Sequence, residues 1–418
     1  MRMNKKKEIV PKLRFPEFIG DKLKITKLGK ISSVVKEKAG ENKYTLMSVT
    51  SGVGLIPQAE KFGREIAGDS YKNYIVIRKY DFAYNKSATK QFPEGYISML
   101  GEYDIAAVPN SIFTCFRITD NESYPPFFDY LWHNNYHGHW LRKYIEVGAR
   151  AHGALSVDTK HLWSMPLALP DFKEQQKIAD CLSSIDDLID AESRKVKVLE
   201  KYKKGLMQKL FPAEGKTLPE WRFPEFQGCG EWKSKSIGKA CKMFSGGTPD
   251  TSKKEFYGGT IPFIRSAEIN KSSTELFITE EGFKNSSAKM VKKGDILIAL
   301  YGANSGEVAL SKIDGAINQA ILCLRHETNN VFVYHYFTHM KNWIISKYIQ
   351  GGQGNLSGQI IKSVNLYFPK AEEQQKIADF LSEIDTMITG QSNKVEQLKA
   401  HKKGLMQGLF PSFEEADV

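Results

Sequence analysis

One run of 39 residues occurs twice in this chain of 418. Residues 174–212 read EQQKIADCLSSIDDLIDAESRKVKVLEKYKKGLMQKLFP. Residues 373–411 read EQQKIADFLSEIDTMITGQSNKVEQLKAHKKGLMQGLFP, identical at 25 of the 39 positions. A period near 200 residues is too long for a solenoid and marks a duplicated unit of domain plus helix.

Within each copy the apolar residues advance by alternating steps of four and three, which is heptad spacing. The first copy gives Ile178, Leu182, Ile185, Ile189, Val196, Leu199, Leu206 and Leu210. The second gives Ile377, Leu381, Ile384, Ile388, Val395, Leu398, Leu405 and Leu409. Both seams are interrupted at the same two steps, by Glu192 and Lys203 in one copy and by Gln391 and Lys402 in the other. Polar residues at such positions fix register at a cost in stability, so matching breaks predict that the two helices pair. The first helix carries the chain from one globular region to the next and the second begins where the first ended. The pair is therefore expected to be antiparallel, each helix about 58 Å long at roughly 1.5 Å per residue.

A shorter repeat supports the return path. Residues 13–18 read LRFPEF and residues 221–226 read WRFPEF, the latter a few residues beyond the first LFP; a second LFP stands at residues 409–411. A returning second helix brings residues 409–411 near residues 13–18, a quasi-circular arrangement with pseudo-two-fold character. The expected fold class is α+β: two similar mixed α/β domains joined by two long helices that form an antiparallel coiled coil. The expected divisions are 1–170, a first domain; 171–212, a central spacer helix; 213–370, a second domain; 371–411, a second spacer helix; and 412–418, a tail.

The net charge of +11 is unevenly distributed. Residues 1–170 carry +8 and residues 213–370 carry +6, whereas 171–212 carry +1 and 371–418 carry −4. The positive charge lies on the globular regions, which suits a polyanion there and protein partners along the helices. The amino-terminal MRMNKKKEIVPK precedes no apolar run and no stretch approaches a membrane span, so a cytoplasmic protein without membrane association is expected. Cys115, Cys181, Cys229, Cys241 and Cys323 form no CxxC pair and are expected to be reduced and structural.

Each globular region reads as strand and helix. Residues 74–85 and 111–118 in the first, and 295–302 and 320–325 in the second, are expected strands. Asn110, Cys115 and Arg117 recur with the same spacing as Asn318, Cys323 and Arg325, so the two domains share a fold at little identity. A helix is expected to follow in each, over residues 130–145 and 334–349.

No catalytic constellation emerges. There is no GxxxxGK[ST], and the glycines at 351, 352 and 354 follow a helix without a succeeding Lys, so they read as a turn. Residues 124–127, YPPF, lack the Asn or Asp that an amino-methyltransferase site places before the prolines, and read as a loop. His133 and His137 could share a helix face, but His335 and His339 stand at different steps, so solvated or partly packed histidines are expected rather than a metal site. Asp158-Thr159-Lys160 reads as a surface turn. No catalytic, cofactor or metal residue is assigned. Candidate DNA contacts are the polar and basic residues of glycine-containing or polar loops: Lys61, Arg64, Lys86, Lys90, Gln91, Arg150 and His152 in the first domain. The second offers Thr248, Arg265, Asn304, Ser305, Gln353 and Asn355. Arg and Lys suit guanine edges or phosphates; Asn and Gln suit adenine.

The two EQQKIAD starts, the two KKGLMQ segments before LFP, the two RFPEF segments, SGGTP at 245–249, IPFI at 261–264 and KKGDILIALYG at 292–302 together closely resemble the specificity subunit of type I restriction-modification enzymes. The resemblance covers essentially the whole chain. It implies two target recognition domains, each reading one half of a bipartite site in double-stranded DNA. It implies helices that set the spacer and dock two methyltransferase subunits, with restriction subunits joining afterwards. S-adenosylmethionine, ATP and Mg would be bound by those partners, and this chain would be non-catalytic. The first domain departs from the pattern, with DFAYNKSAT where the second has DILIALYGANSG. A DNA-modifying enzyme with an unrecognised site and a coiled-coil scaffold binding DNA without specificity are the alternatives.

Overall fold

A computed structural model describes residues 10–87, 89–145, 158–302, 304–348 and 356–411. By packing, the chain divides into two units, Met1–Glu192 with Lys394–Val418, and Ser193–Asn393. The division cuts across both long helices, Phe172–Leu210 and Ala371–Leu409, each of 39 residues. Each unit thus contains one globular region, the start of one long helix and the end of the other.

In the first unit a four-stranded antiparallel sheet has the order Ser32–Val34, Phe113–Ile118, Phe82–Asn85, Tyr96–Met99. Pairs Lys24–Lys27 with Pro166–Leu169, Met47–Thr50 with Gly54–Pro57, and Ile75–Arg78 with Ile105–Val108 flank it. The second unit repeats the plan with Cys241–Ser245, Ile321–His326, Ile296–Ala299 and Val308–Leu310. Lys233–Ser236 pairs with Asn365–Phe368. A further sheet comprises Phe277–Ile278, Tyr257–Ile264, Gly315–Ile317 and Lys289–Val291. The expected correspondence of the two domains has a structural basis: Asp81 accepts from the Arg117 guanidinium, and Asp295 accepts likewise from Arg325.

Several local expectations are corrected. Residues 74–85 form two strands because Tyr80 adopts φ of 73° and the Asp81 carboxylate takes the Arg78 amide at 2.7 Å, turning the chain. Residues 130–145 are not one helix: Pro125–His133 and Tyr136–Leu141 are separated at Asn135, whose φ is 58°. The YPPF segment is a helix start, its two prolines in the first turn where no amide hydrogen is needed. Asp158 is an N-cap whose carboxylate accepts the Lys160 amide and opens Thr159–Trp163. His137 is fully buried rather than solvated, and burial pushes its pKa down to about 4. All five cysteines are free, but Cys229 is exposed rather than part of a core. Among the described residues no helix is long and apolar enough to cross a membrane, and no cluster of three metal-ligating side chains forms. The glycines at 351, 352 and 354 lie outside the described residues.

The repeated motifs bind each other. In the first unit Arg14 of RFPEF forms a bidentate pair with Glu174 of EQQKIAD at 2.8 and 2.7 Å. Lys177 lies 4.7 Å from the Phe15 ring centre and pairs with Glu17. In the second unit Arg222 grips Glu373 at 2.7 and 2.6 Å, while Lys376 lies over Phe223 and 3.4 Å from Glu225. Gln175 and Gln374 each donate to the carbonyl four residues before the carboxylate, Pro170 and Pro369, both at 2.9 Å. The other end of each RFPEF takes the end of a long helix: the Leu13 amide donates to the Gly408 carbonyl and the Trp221 amide to the Lys209 carbonyl, both at 2.9 Å. In the first unit this brings residue 13 beside residue 408, the return path expected from the repeats.

Pairing between the long helices runs in opposite senses. Within the first unit Asp186 meets Lys402 at 2.6 Å and Glu192 meets Lys394 at 3.0 Å; within the second Lys203 meets Asp385 at 2.5 Å. Two of the polar interruptions, Lys203 and Lys402, are thus satisfied by a carboxylate on the opposite helix. Of the seam residues, Ile178, Leu182, Ile189, Leu210, Ile377, Leu381, Ile384, Val395 and Leu409 are buried; Ile185, Val196, Leu199, Leu206, Ile388, Leu398 and Leu405 are half-buried. The helix ends also enter domain cores: Met406, Leu409 and Phe410 join that of the first unit, and Met207, Leu210 and Phe211 that of the second.

Glu373 is 1% exposed, so removing its partner strands a buried charge. Arg222→Ala is expected to lower unfolding free energy by about 3–5 kcal/mol, and Arg222→Met with Glu373→Met to restore most of it. Urea denaturation of the three proteins checks this.

Candidate nucleic-acid interface

In the second unit the strand registers bring several loops to one place. Ser245, the last residue of its strand, pairs with Leu322, and Ala299, the last of another, pairs with Ile321. The loops after Ser245 and Ala299 therefore open at the same sheet end as the turn before Ile321. Ile264 lies beside Ile317 in parallel, and Lys289 lies opposite Ile317, so Arg265 and Lys289 reach this end too. Thr248, Arg265, Asn304 and Ser305, four of the six sequence candidates here, sit on these converging segments. Gln353 and Asn355 lie outside the described residues.

Each loop is rigidly held. The Gly247 amide donates to the Ile317 carbonyl at 3.2 Å, and a Cβ on Gly246 would stand 1.7 Å from that carbonyl oxygen. Only glycine permits the SGGTP backbone to press this closely onto the neighbouring strand. Asn304 and Ser305 occupy the hairpin tip between Ile296–Ala299 and Val308–Leu310. There the Ser305 hydroxyl donates to the Leu300 carbonyl at 2.9 Å and the Asn304 carbonyl takes the Glu307 amide. Tyr301, 41% exposed, stands on the same tip. Arg265 is different: its guanidinium binds Glu268 through two nitrogens at 3.0 Å and Glu275 at 2.7 Å. Beside it the buried Glu268 carboxyl is held down at about 2. Arg265 thus organises the segment from 265 to 275.

The first unit gathers its loops by the same register but arms them differently. Asn85, at the end of its strand, pairs with Phe113 and Tyr96. Lys86, Lys90 and Gln91 follow it; Lys90 and Gln91 are exposed. The Asn85 side-chain Nδ2 donates to the Val49 carbonyl at 3.3 Å, and one residue earlier than Val49 the Ser48 hydroxyl lies 3.4 Å from Lys61 Nζ. Desolvation lowers the Lys61 pKa, and its ammonium lies 5.0 Å from the Phe62 ring centre. Arg64 is exposed just past Gly63, which ends the helix Gln58–Phe62. Arg150 and His152 lie outside the described residues.

Residues 230–400, which include these second-unit loops, match the type I restriction modification DNA specificity domain. A putative type I restriction enzyme MjaX specificity subunit of Methanocaldococcus jannaschii is 29% identical over 275 residues, 63% of this chain and 63% of that protein. The MjaIX specificity subunit of the same organism is 31% identical, over 44% of this chain and 45% of the relative. The EcoR124I/EcoR124II specificity subunit of Escherichia coli is 30% identical, over 38% and 42%. The chain thus spans less than two thirds of the length of each of these curated relatives. The crystal structure of the type I restriction-modification S subunit from M. genitalium shares its fold, with a TM-score of 0.59 and 15% identity over 97% of this chain and 100% of that one.

The converging loops also include Lys289, Tyr301, Asn318 and Gln319, none of them among the sequence candidates for DNA contact. The available signal was the polar pair Asn318-Gln319 between the apolar runs of two strands, but its neighbours become evident only from the strand register. Asn318 is structural, its carboxamide oxygen taking the Ala320 amide at 3.1 Å. A methyl group at position 246 has no room, so Gly246→Ala is expected to displace the SGGTP loop and cost about 1–3 kcal/mol. Faster amide hydrogen exchange at residues 247 and 318–320 checks this.

Proposed function

We propose that this chain is the non-catalytic DNA-recognition subunit of a type I restriction-modification complex, each unit reading one half of a bipartite site in double-stranded DNA. The observation that carries the reading is the convergence of polar, backbone-anchored loops at one end of the sheets in the region matched by the DNA specificity domain. Loops anchored on strands hold side chains where they can meet base edges, and the excess of lysine and arginine over the globular regions supplies sequence-independent attraction to phosphates. The paired long helices set the gap between half-sites, and their near-neutral or acidic surfaces dock two methyltransferase subunits, with restriction subunits added to the full complex. Base flipping, methyl transfer and cleavage fall to those partners, which bind S-adenosylmethionine, ATP and Mg.

The test is selection from randomised duplexes by the full chain assembled with its methyltransferase subunits. A motif in two halves separated by a constant gap is the expected result. Salt-sensitive binding without a motif would instead make the chain a scaffold, and methylation or cleavage by the chain alone would make it an enzyme. In the same assay, four residues inserted near Val196 are expected to lengthen the gap while leaving both half-sites as they were. A change in either half-site would contradict the role given to the helices.

A further inference from the structure

We propose that Gln319, oriented by Thr248, is a base-reading residue of the second unit and recognises adenine in one half-site. The inference rests on the DNA-recognition reading above and names a residue that gives one position its specificity.

Gln319 is exposed at the apex of the turn between Gly315–Ile317 and Ile321–His326, and the turn is pinned on both sides. The Ile317 carbonyl takes the Gly247 amide at 3.2 Å, the Asn318 carboxamide takes the Ala320 amide at 3.1 Å, and the Ala320 carbonyl takes the Leu300 amide at 2.8 Å. Thr248 is fixed as well. It follows the glycine pair pressed against Ile317 and Ser287 and precedes Pro249, whose carbonyl takes the Tyr257 hydroxyl at 2.7 Å. The Thr248 hydroxyl donates to Gln319 Oε1 at 2.7 Å.

That hydrogen bond joins two exposed residues from different loops and sets the plane of the carboxamide. One lone pair of Oε1 is used; among the described residues the other and both amide hydrogens have no partner, so an acceptor and a donor remain side by side. With the amide turned over and the hydroxyl accepting, one of each still remains. In the major groove this pattern complements adenine, which offers the N6 hydrogen and N7 together. Neutral glutamine releases no counterion from phosphate, which leaves the cation Lys289, opposite Ile317, for that task.

The test compares the full chain, Gln319→Ala, Thr248→Val and Lys289→Ala, each assembled with its methyltransferase subunits, by selection from randomised duplexes and by binding at several salt concentrations. Thermal unfolding establishes that each variant is folded. Gln319→Ala is expected to keep the split motif but lose an A·T preference at one position of one half-site, by roughly 5- to 150-fold, with the salt dependence unchanged. Thr248→Val is expected to weaken the same position by freeing the carboxamide. Lys289→Ala is expected to weaken all duplexes alike and reduce the salt slope by about one. An unaltered motif for Gln319→Ala, an equal loss for every duplex, or an effect at a G·C position overturns the assignment while leaving the recognition reading in place. A parent complex that selects no motif overturns both.

Discussion

Both units depend on one ionic contact, the buried bidentate pair between the RFPEF arginine and the first glutamate of the long helix. Arg14 and Glu174 are 7% and 2% exposed, Arg222 and Glu373 12% and 1%. At such burial an ion pair adds little net free energy beyond a hydrophobic pair of equal volume, because desolvation offsets most of the attraction. Its value lies in direction. Glu174 and Glu373 sit in the first turn of their helices, where the backbone dipole favours a carboxylate, and the planar guanidinium accepts only a narrow range of approach. The pair thus aims the helix as it leaves the domain, while lysine on phenylalanine one turn later and the glutamine on proline carbonyl oxygen remove the remaining freedom.

This explains why two short motifs far apart in the chain occur together in both copies. The RFPEF segment is a clamp with two jaws, one side chain holding the start of a long helix and one backbone amide holding the end of the other. Partners on opposite helices then fall into antiparallel order, and Asp186 with Lys402 and Asp385 with Lys203 become neighbours. Three of the four breaks in the heptad pattern, Glu192, Lys203 and Lys402, are charges placed to meet their counterparts on the opposite helix.

Repetition made the frame legible from sequence, because identical residues under identical constraints reveal which spacing matters. Local chain reversals were less legible. Tyr80 and Asn135 adopt positive φ inside runs that otherwise read as continuous strand and helix, and a single residue of that kind leaves no periodic trace. The prolines at 125 and 126 read as loop formers, yet the first turn of a helix is the place where proline costs nothing. The candidate interface was half legible. Residue types on glycine-containing loops pointed to Thr248, Asn304 and Ser305, whereas Gln319 drew no notice because its significance comes from a hydroxyl 71 positions earlier in the chain. Arg265 shows the converse: a plausible reader by type, it is committed to two carboxylates. The units also differ in armament, lysines dominating in the first and hydroxyls and carboxamides in the second, so one frame presents two chemically different faces.

The clamp operates under unequal conditions in the two units, and one sequence difference follows from that. In the second unit the helix end at Leu210 and the arginine at 222 belong to one continuous stretch of chain, so their approach closes only a short loop. In the first unit Leu13 and Gly408 are separated by nearly the whole sequence, and their meeting must be ordered by contacts alone. The repeat departs from identity here: Lys209 in one copy is Gly408 in the other. A Cβ at 408 would stand 2.4 Å from the Leu13 side chain, so glycine opens a seat for that leucine against the helix backbone. The junction that no short loop closes is thus the one at which a leucine side chain lies directly against the helix, where the second unit sets Trp221 beside Lys209.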